Sequence, residues 1–249
     1  MAVLAVESAT ELAGVAAADV SGVLVSVTVG RGRRHGESIA PAVEFVCARA
    51  GIALGDLDAL AVDVGPGLFT GLRVGVATVK ALAFALGLPV VTATSLELLA
   101  RAAARLVPPA GDGEAPLLVP VVDARRGLVF SARFVHSGGE MRRVADDALC
   151  APDDLAAEVG ALGRSGRRCL CLGDGARRYA DLFGALPGAT VGGPATAHPD
   201  VGVLAEMGVE RHADGLAVPV EQVQAHYLRE ADVRINWEQR MAPRAGTGS

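Results

Sequence analysis

An α/β protein of two βββαβα-type units, the second less regular, is predicted by three observations on the 249-residue sequence. Short β-branched runs are bounded by Gly- and Ser-containing turns, apolar residues recur at helical spacing between them, and the same plan restarts beyond a Pro/Gly-rich stretch. Residues 3–6, 14–19 and 23–29 read as three strands of an antiparallel meander. From 38 to 50, Ile39, Ala42, Val43, Val46, Cys47 and Ala50 repeat every three or four positions, which predicts a helix. A strand over 57–64, a helix over 70–86 stopped by Gly87 and Pro89, and a strand over 90–93 follow. Thr94 and Glu97 stand at capping-box spacing, so a further helix is expected from Ser95 to about Leu106.

Residues 108–116 carry three prolines and two glycines and form the expected linker. Beyond it, 117–123 and 128–134 read as strands joined by a hairpin at Arg125-Arg126-Gly127. A helix over 156–162, a strand over 169–172 and a helix over 176–186, entered through Gly173-Asp174-Gly175, complete the second unit. The expected domains are therefore 1–107 and 108–240, with 241–249 a small, polar, disordered tail.

Half of the residues are hydrophobic (51%) and mean hydropathy is +0.38, enough for a sizeable core. A net charge of −5 and a pI near 5.6 argue against binding nucleic acid through bulk positive charge. Lys80 is the only lysine among 23 basic residues, and paired arginines such as Arg33-Arg34 and Arg177-Arg178 are scattered among acids, as on a solvated surface. Cys47, Cys150, Cys169 and Cys171 include no C-x-x-C pair and fit a reducing cytoplasm. Residues 1–6 lack the basic start of a signal peptide. The apolar stretch 74–91 is interrupted by Gly75, Thr78, Lys80, Gly87 and Pro89, and no membrane segment is expected.

The most informative segment runs from Asp63 to Gly75, DVGPGLFTGLRVG, and joins a strand to a helix through a turn rich in glycine. Exposed turn amides at a helix start suit an anion or a closely approaching backbone. A P-loop does not fit, because Thr70 stands where its second glycine belongs and no lysine follows. A dinucleotide fingerprint does not fit either, since Gly65, Gly67 and Gly71 are spaced one residue too far.

The run GPGLFTGLRVG resembles the signature of the TsaB family, bacterial tRNA threonylcarbamoyladenosine biosynthesis proteins once grouped with M22 peptidases. Leu4 to Thr10, His35-Gly36-Glu37-Ser38, Val122 to Gly127, Gly173-Asp174-Gly175-Ala176, and Tyr227-Leu228-Arg229 with Trp237 agree in order, so the resemblance covers nearly the whole chain. It implies the actin-like ATPase/sugar-kinase (ribonuclease H-like) superfold. It also implies an accessory subunit that pairs with TsaD, the subunit that transfers the threonylcarbamoyl group to the adenosine next to the anticodon of tRNAs reading codons that begin with A. TsaE, an ATPase, is the third implied partner, with self-pairing when TsaD is absent and tRNA contacted indirectly.

Three readings follow. A nucleotide-using enzyme of this fold would employ Glu7, Ser8 and Thr10 after the first strand, Asp123 at the end of the first strand of the second unit, and Gly173, Asp174 and Gly175 against the nucleotide. Glu7 replaces the aspartate usual in the family and is a methylene longer, so the site is expected to be degenerate, with no metal and no cofactor. A metallopeptidase would need histidines one helical turn apart. His35, His136, His198, His212 and His226 have no such spacing.

A non-catalytic subunit is the reading adopted, with the enzyme as runner-up and the peptidase disfavoured. Between Leu72 and Leu86 only Arg73, Thr78 and Lys80 are clearly polar, so this helix needs cover on every side. Periodicity leaves internal packing and a partner interface equally open; the resemblance favours the interface. Its expected residues are Ile39, Pro41, Ala42 and Phe45 of the first helix and Leu72, Arg73, Val76 and Lys80 of the second, beside the turn formed by Gly65, Pro66, Gly67, Thr70 and Gly71.

Overall fold

The structure, a computed structural model, describes residues 1–30, 35–106 and 114–228. Arg33-Arg34, most of the expected linker, Arg229, Trp237 and the expected tail lie outside the described residues. Strands β1 (Ala2–Glu7), β2 (Ala13–Asp19) and β3 (Gly22–Val29) form the expected antiparallel meander. Helix α1 (His35–Ala50) starts three residues earlier than the apolar spacing indicated. Then β4 (Ala59–Asp63) pairs parallel with β1, and α2 (Phe69–Leu86) ends at Gly87 in the left-handed conformation (φ 68°). β5 (Val90–Ala93) pairs parallel with β4, and α3 (Ser95–Ala104) is capped by Thr94, whose side chain accepts from the Glu97 amide.

The second half is a closer copy of the first than the sequence suggested. β6 (Leu117–Arg125), β7 (Leu128–Ser137) and β8 (Glu140–Cys150) form an antiparallel meander. α4 (Pro152–Arg164) leads to β9 (Cys169–Leu172), which pairs parallel with β6. The helix expected over 176–186 is two short helices broken at Tyr179, α5 (Gly173–Arg178) and α6 (Ala180–Gly184). β10 (Ala189–Val191) and α7 (Val201–Ala213) complete the copy. The sheet orders, β3-β2-β1-β4-β5 and β8-β7-β6-β9-β10, are the same plan twice.

Three elements were missing from the sequence reading. β8 is an outer strand that carries charged residues on both sides, Glu140, Arg142 and Asp146 facing solvent and Arg143 and Asp147 paired inward, although Gly138 and Gly139 (φ 61° and 85°) marked its hairpin. β10 is only three residues long. α7 is apolar almost all round because it is buried almost all round: Val201 to Ala205 and Met207 to Val209 are covered, and the Asp200 carboxylate caps its Gly202 and Val203 amides.

The two units are interlocked through these last helices. α7 packs on the first sheet, where Val203, Leu204 and Met207 meet Val3, Ala5 and Ala61. α3 does the converse, and its Leu96, Leu99, Ala100 and Ala103 meet Leu118, Val122 and Phe130 of the second sheet. α7, from the second half of the chain, thus belongs spatially with the first sheet. The other face of that sheet is covered by α1 and α2, with Leu4, Val6, Leu60 and Val62 against Ile39, Val46, Val76 and Val79.

Candidate functional site: a closed cleft and an exposed helix face

The glycine-rich turn is held from inside the molecule. The Asp63 carboxylate accepts the Gly65 amide (2.7 Å) and the Ser95 hydroxyl (2.8 and 2.9 Å), so the end of β4 is tied to both the turn and the start of α3. The Ser95 amide donates to the Gly65 carbonyl and the Leu68 amide to the Ala9 carbonyl. A β-carbon on Gly67 would lie 2.2 Å from that Ala9 oxygen, and Gly65 has φ +102°, so both positions require glycine. Pro66 is buried behind a cis peptide bond, Thr70 is exposed, and buried Gly71 accepts the Ser8 hydroxyl at 2.9 Å. The backbone that approaches this turn closely is thus the chain's own, from Ser8-Ala9 on one side and His226 on the other.

The acids expected at a degenerate nucleotide site are all engaged. Glu7 is buried, accepts the Ala9 amide at 2.7 Å and lies beside Asp63 at the ends of the paired strands β1 and β4. Burial first, and the Asp63 charge second, hold the Glu7 carboxyl well above its usual range. Burial pushes Asp63 up to about 7 against the opposing pull of its hydrogen-bond donors. The Thr10 hydroxyl lies 3.2 Å from His198 Nδ1. Asp123 accepts Arg125 Nη1 at 3.0 Å and Arg178 Nη1 at 3.1 Å, while its own amide donates to Asp174. Arg125 reaches across to Glu11 at 2.6 Å, joining the two units, and holds that carboxyl below its usual range.

Gly173-Asp174-Gly175 turns toward the backbone of β6. A β-carbon on Gly173 (φ +96°) would lie 2.2 Å from the Val121 oxygen, and one on Gly175 would lie 2.9 Å from it. Burial raises the Asp174 carboxyl. Sequence reasoning named these acids and glycines but missed Arg125, Arg178 and His198, the bases that answer them. Arg125 and Arg178 reach Asp123 within the second unit, where α5 packs on β6, and that packing is not visible in residue spacing. Among the described residues no cluster of three or more His, Cys, Asp or Glu side chains is placed to hold a metal.

The expected interface residues separate into three groups. Ile39, Ala42, Leu72 and Val76 are buried in the chain's own core, so as exposed contact residues they are corrected: their spacing marks the inner stripe of each helix. Pro41, Phe45 and Arg73 are exposed. Lys80 is half-buried and donates to the Val223 carbonyl at 2.9 Å, which fastens α2 to the segment after α7. The outward face of α2 is Arg73, Ala77, Ala81, Phe84 and Ala85, with Phe84 80% exposed; Phe45 of α1 is 48% exposed. At the start of α2 the Arg73 guanidinium lies 3.8 Å over Phe69, which meets Tyr227 at 5.2 Å. By length and hydropathy α2 alone among the described residues could span a membrane, but Gly71, Leu72, Gly75, Val76, Val79 and Ala83 build one side of it into the core.

Comparison with known proteins decides the family. A family model described as TsaD, tRNA N6-adenosine threonylcarbamoyltransferase, matches residues 22–164, more than half of the chain. The tRNA threonylcarbamoyladenosine biosynthesis protein TsaB of Bacillus subtilis is 28% identical over 95% of this chain and 98% of its own. TsaB of Escherichia coli is 28% identical over 92% and 95% respectively. The chain belongs to the TsaB family. Its fold is that of the solved structure described as YeaZ from Pseudomonas aeruginosa, with TM-score 0.74 at 28% identity over 91% of this chain and 99% of that one. A second structure, an uncharacterized protein with similarity to peptidase YeaZ from the same organism, gives 0.77 at 29% identity over 92% and 99%. A chain of this family takes part in tRNA threonylcarbamoyladenosine biosynthesis.

Proposed function

We propose that this chain is a non-catalytic subunit that docks on a TsaD homologue through the exposed face of α1 and α2 and supports transfer of the threonylcarbamoyl group to tRNA. The observation that carries this reading is the pairing of an internally saturated cleft with an uncovered apolar helix face. In the cleft, arginines occupy Asp123, Thr10 meets His198, and Glu7 is turned onto Asp63. A divalent ion at Asp123 would have to displace Arg125 and Arg178 first. The outer face, with Phe45, Phe84, Ala77 and Ala81 exposed, is in contrast open to a partner helix.

Small side chains at Ala77, Ala81 and Ala85 allow close approach of a facing helix, while Phe45 and Phe84 supply anchors, with Pro41 and Arg73 at the margin. A partner that prefers its active arrangement when seated here is activated by that differential contact alone. Self-pairing through the same face when TsaD is absent, and a TsaE homologue as third component, belong to the same reading. Mixing the purified chain with a TsaD homologue, with and without a TsaE homologue, and measuring complex size and threonylcarbamoyl transfer to tRNA tests it. Activation that depends on this chain supports the reading; full transfer without it would overturn it.

A further inference from the structure

Glu7 and Asp63 are both about 1% exposed and lie on adjacent parallel strands where β1 and β4 end, one residue before the first turn and two before the glycine-rich turn. Two carboxyls side by side and out of water are not both ionised, and the one that keeps its proton can donate it to the other. The hydrogen bonds say which. Asp63 receives the Gly65 amide and the Ser95 hydroxyl, groups that stabilise a negative charge. Glu7 receives only the Ala9 amide, and its neighbours of like charge are Asp63 and Asp200, the latter engaged in capping α7. Bases on adjoining elements are spoken for: His198 meets Thr10, and Arg143 pairs with Asp147 and Thr94.

We infer that Glu7 and Asp63 are a proton-sharing clamp on the glycine-rich turn, with the proton on Glu7 and the charge on Asp63, and that losing this proton loosens the start of α2. The mechanism is short. The protonated Glu7 donates to Asp63, and Asp63 holds the Gly65 amide and Ser95. The Ala9 segment, fixed by Glu7 from the other side, holds the Leu68 amide and, through Ser8, the Gly71 carbonyl. Removing the proton places two like charges in contact, and the cheapest relief is to part the two turns. If α2 docks a partner as proposed above, docking weakens with the clamp; the test uses the isolated full chain and is independent of that reading.

Burial raises both carboxyls, so the folded chain keeps a proton that the unfolded chain has released. Raised carboxyls give stability that is complete below the unfolded range, near pH 4, and lost as pH rises through the folded value. Between about pH 5 and 7 each retained proton makes the unfolding constant rise about tenfold per pH unit. Glu7→Gln keeps a donor to Asp63 but removes one titration, and its profile should be flatter by that tenfold. Two local readouts accompany it. The infrared spectrum at about pH 8.5, above the range in which Asp63 titrates, should contain a protonated-carboxyl stretch that Glu7→Gln removes, and the Gly65 amide resonance should titrate near neutral pH as Asp63 ionises. A Gly65 resonance that stays flat from pH 5.5 to 8.5 in the natural chain overturns the inference without any variant. So does an unchanged pH profile or an unchanged infrared band in Glu7→Gln. Should that variant not fold, Asp63→Asn must keep the infrared band and lose the Gly65 titration, and loss of the band there counts equally against the clamp.

Discussion

The Ser8 hydroxyl donates to the Gly71 carbonyl at 2.9 Å, and one turn further along α2 a β-carbon on Gly75 would lie 2.2 Å from the same hydroxyl. Gly71 and Gly75 thus let α2 descend onto the end of β1. Together with Gly67 against Ala9, they make the signature run a packing device that seats one helix on the chain's own first turn.

Gly67→Ala and Gly75→Ala should therefore destabilise the fold by about 3 kcal/mol each, because the added carbon meets fixed backbone or a hydroxyl already bonded. Denaturant unfolding measures this. Gly36→Ala is the control, since nothing lies within 4 Å of its β-carbon position.

Val76 and Phe84 should respond oppositely to the same substitution. Val76 is 8% exposed and in the core cluster, so Val76→Glu buries an unpaired charge and should cost about 3–5 kcal/mol. Phe84→Glu, at 80% exposure, should change stability by less than about 0.5 kcal/mol. Thermal melting separates the two. Any loss of partner binding in Phe84→Glu then reports the surface and not the fold.

Native cysteines should resist alkylation at neutral pH. Burial pushes the Cys171 thiol up to about 12 and raises Cys47, Cys150 and Cys169 as well, which suppresses the reactive thiolate. Mass spectrometry after iodoacetamide treatment should find little modification until denaturant is added. Rapid labelling of Cys171 in the folded chain would show that the second sheet opens.

ATP hydrolysis by the isolated chain should not exceed background, with or without Mg²⁺, because Arg125 and Arg178 already neutralise Asp123. Phosphate release is the measurement. Turnover abolished by Asp123→Asn would instead favour a nucleotide-using enzyme.

Much of the first unit was legible because each of its elements meets one face of a sheet or one side of a helix, and the periodicity records that face. The meander, α2 with its Gly87 stop, and Thr94 as cap came directly from such patterns. What escaped has separate physical causes: exchange between the units for α7, an edge position for β8 and shortness for β10. α7 is covered on nearly all sides by the first sheet and α3, so it lacks an amphipathic stripe, and β8 lies at the sheet margin. In the site, the glycines and acids were legible as types, but spacing cannot tell an open anion cradle from a turn filled by the chain's own Ala9. Nor could it tell the inner residues Leu72 and Val76 from the outer Ala77 and Phe84, because α2 is apolar on both sides.

The docking face is tested most directly by the Phe45→Glu and Phe84→Glu variants in a single experiment with a TsaD homologue. Complex size, melting temperature and threonylcarbamoyl transfer to tRNA are followed together. The account predicts two folded variants with unchanged melting, neither of which forms the complex or supports transfer. Variants that bind TsaD and support transfer as the natural chain does would contradict it and move the interface away from α1 and α2.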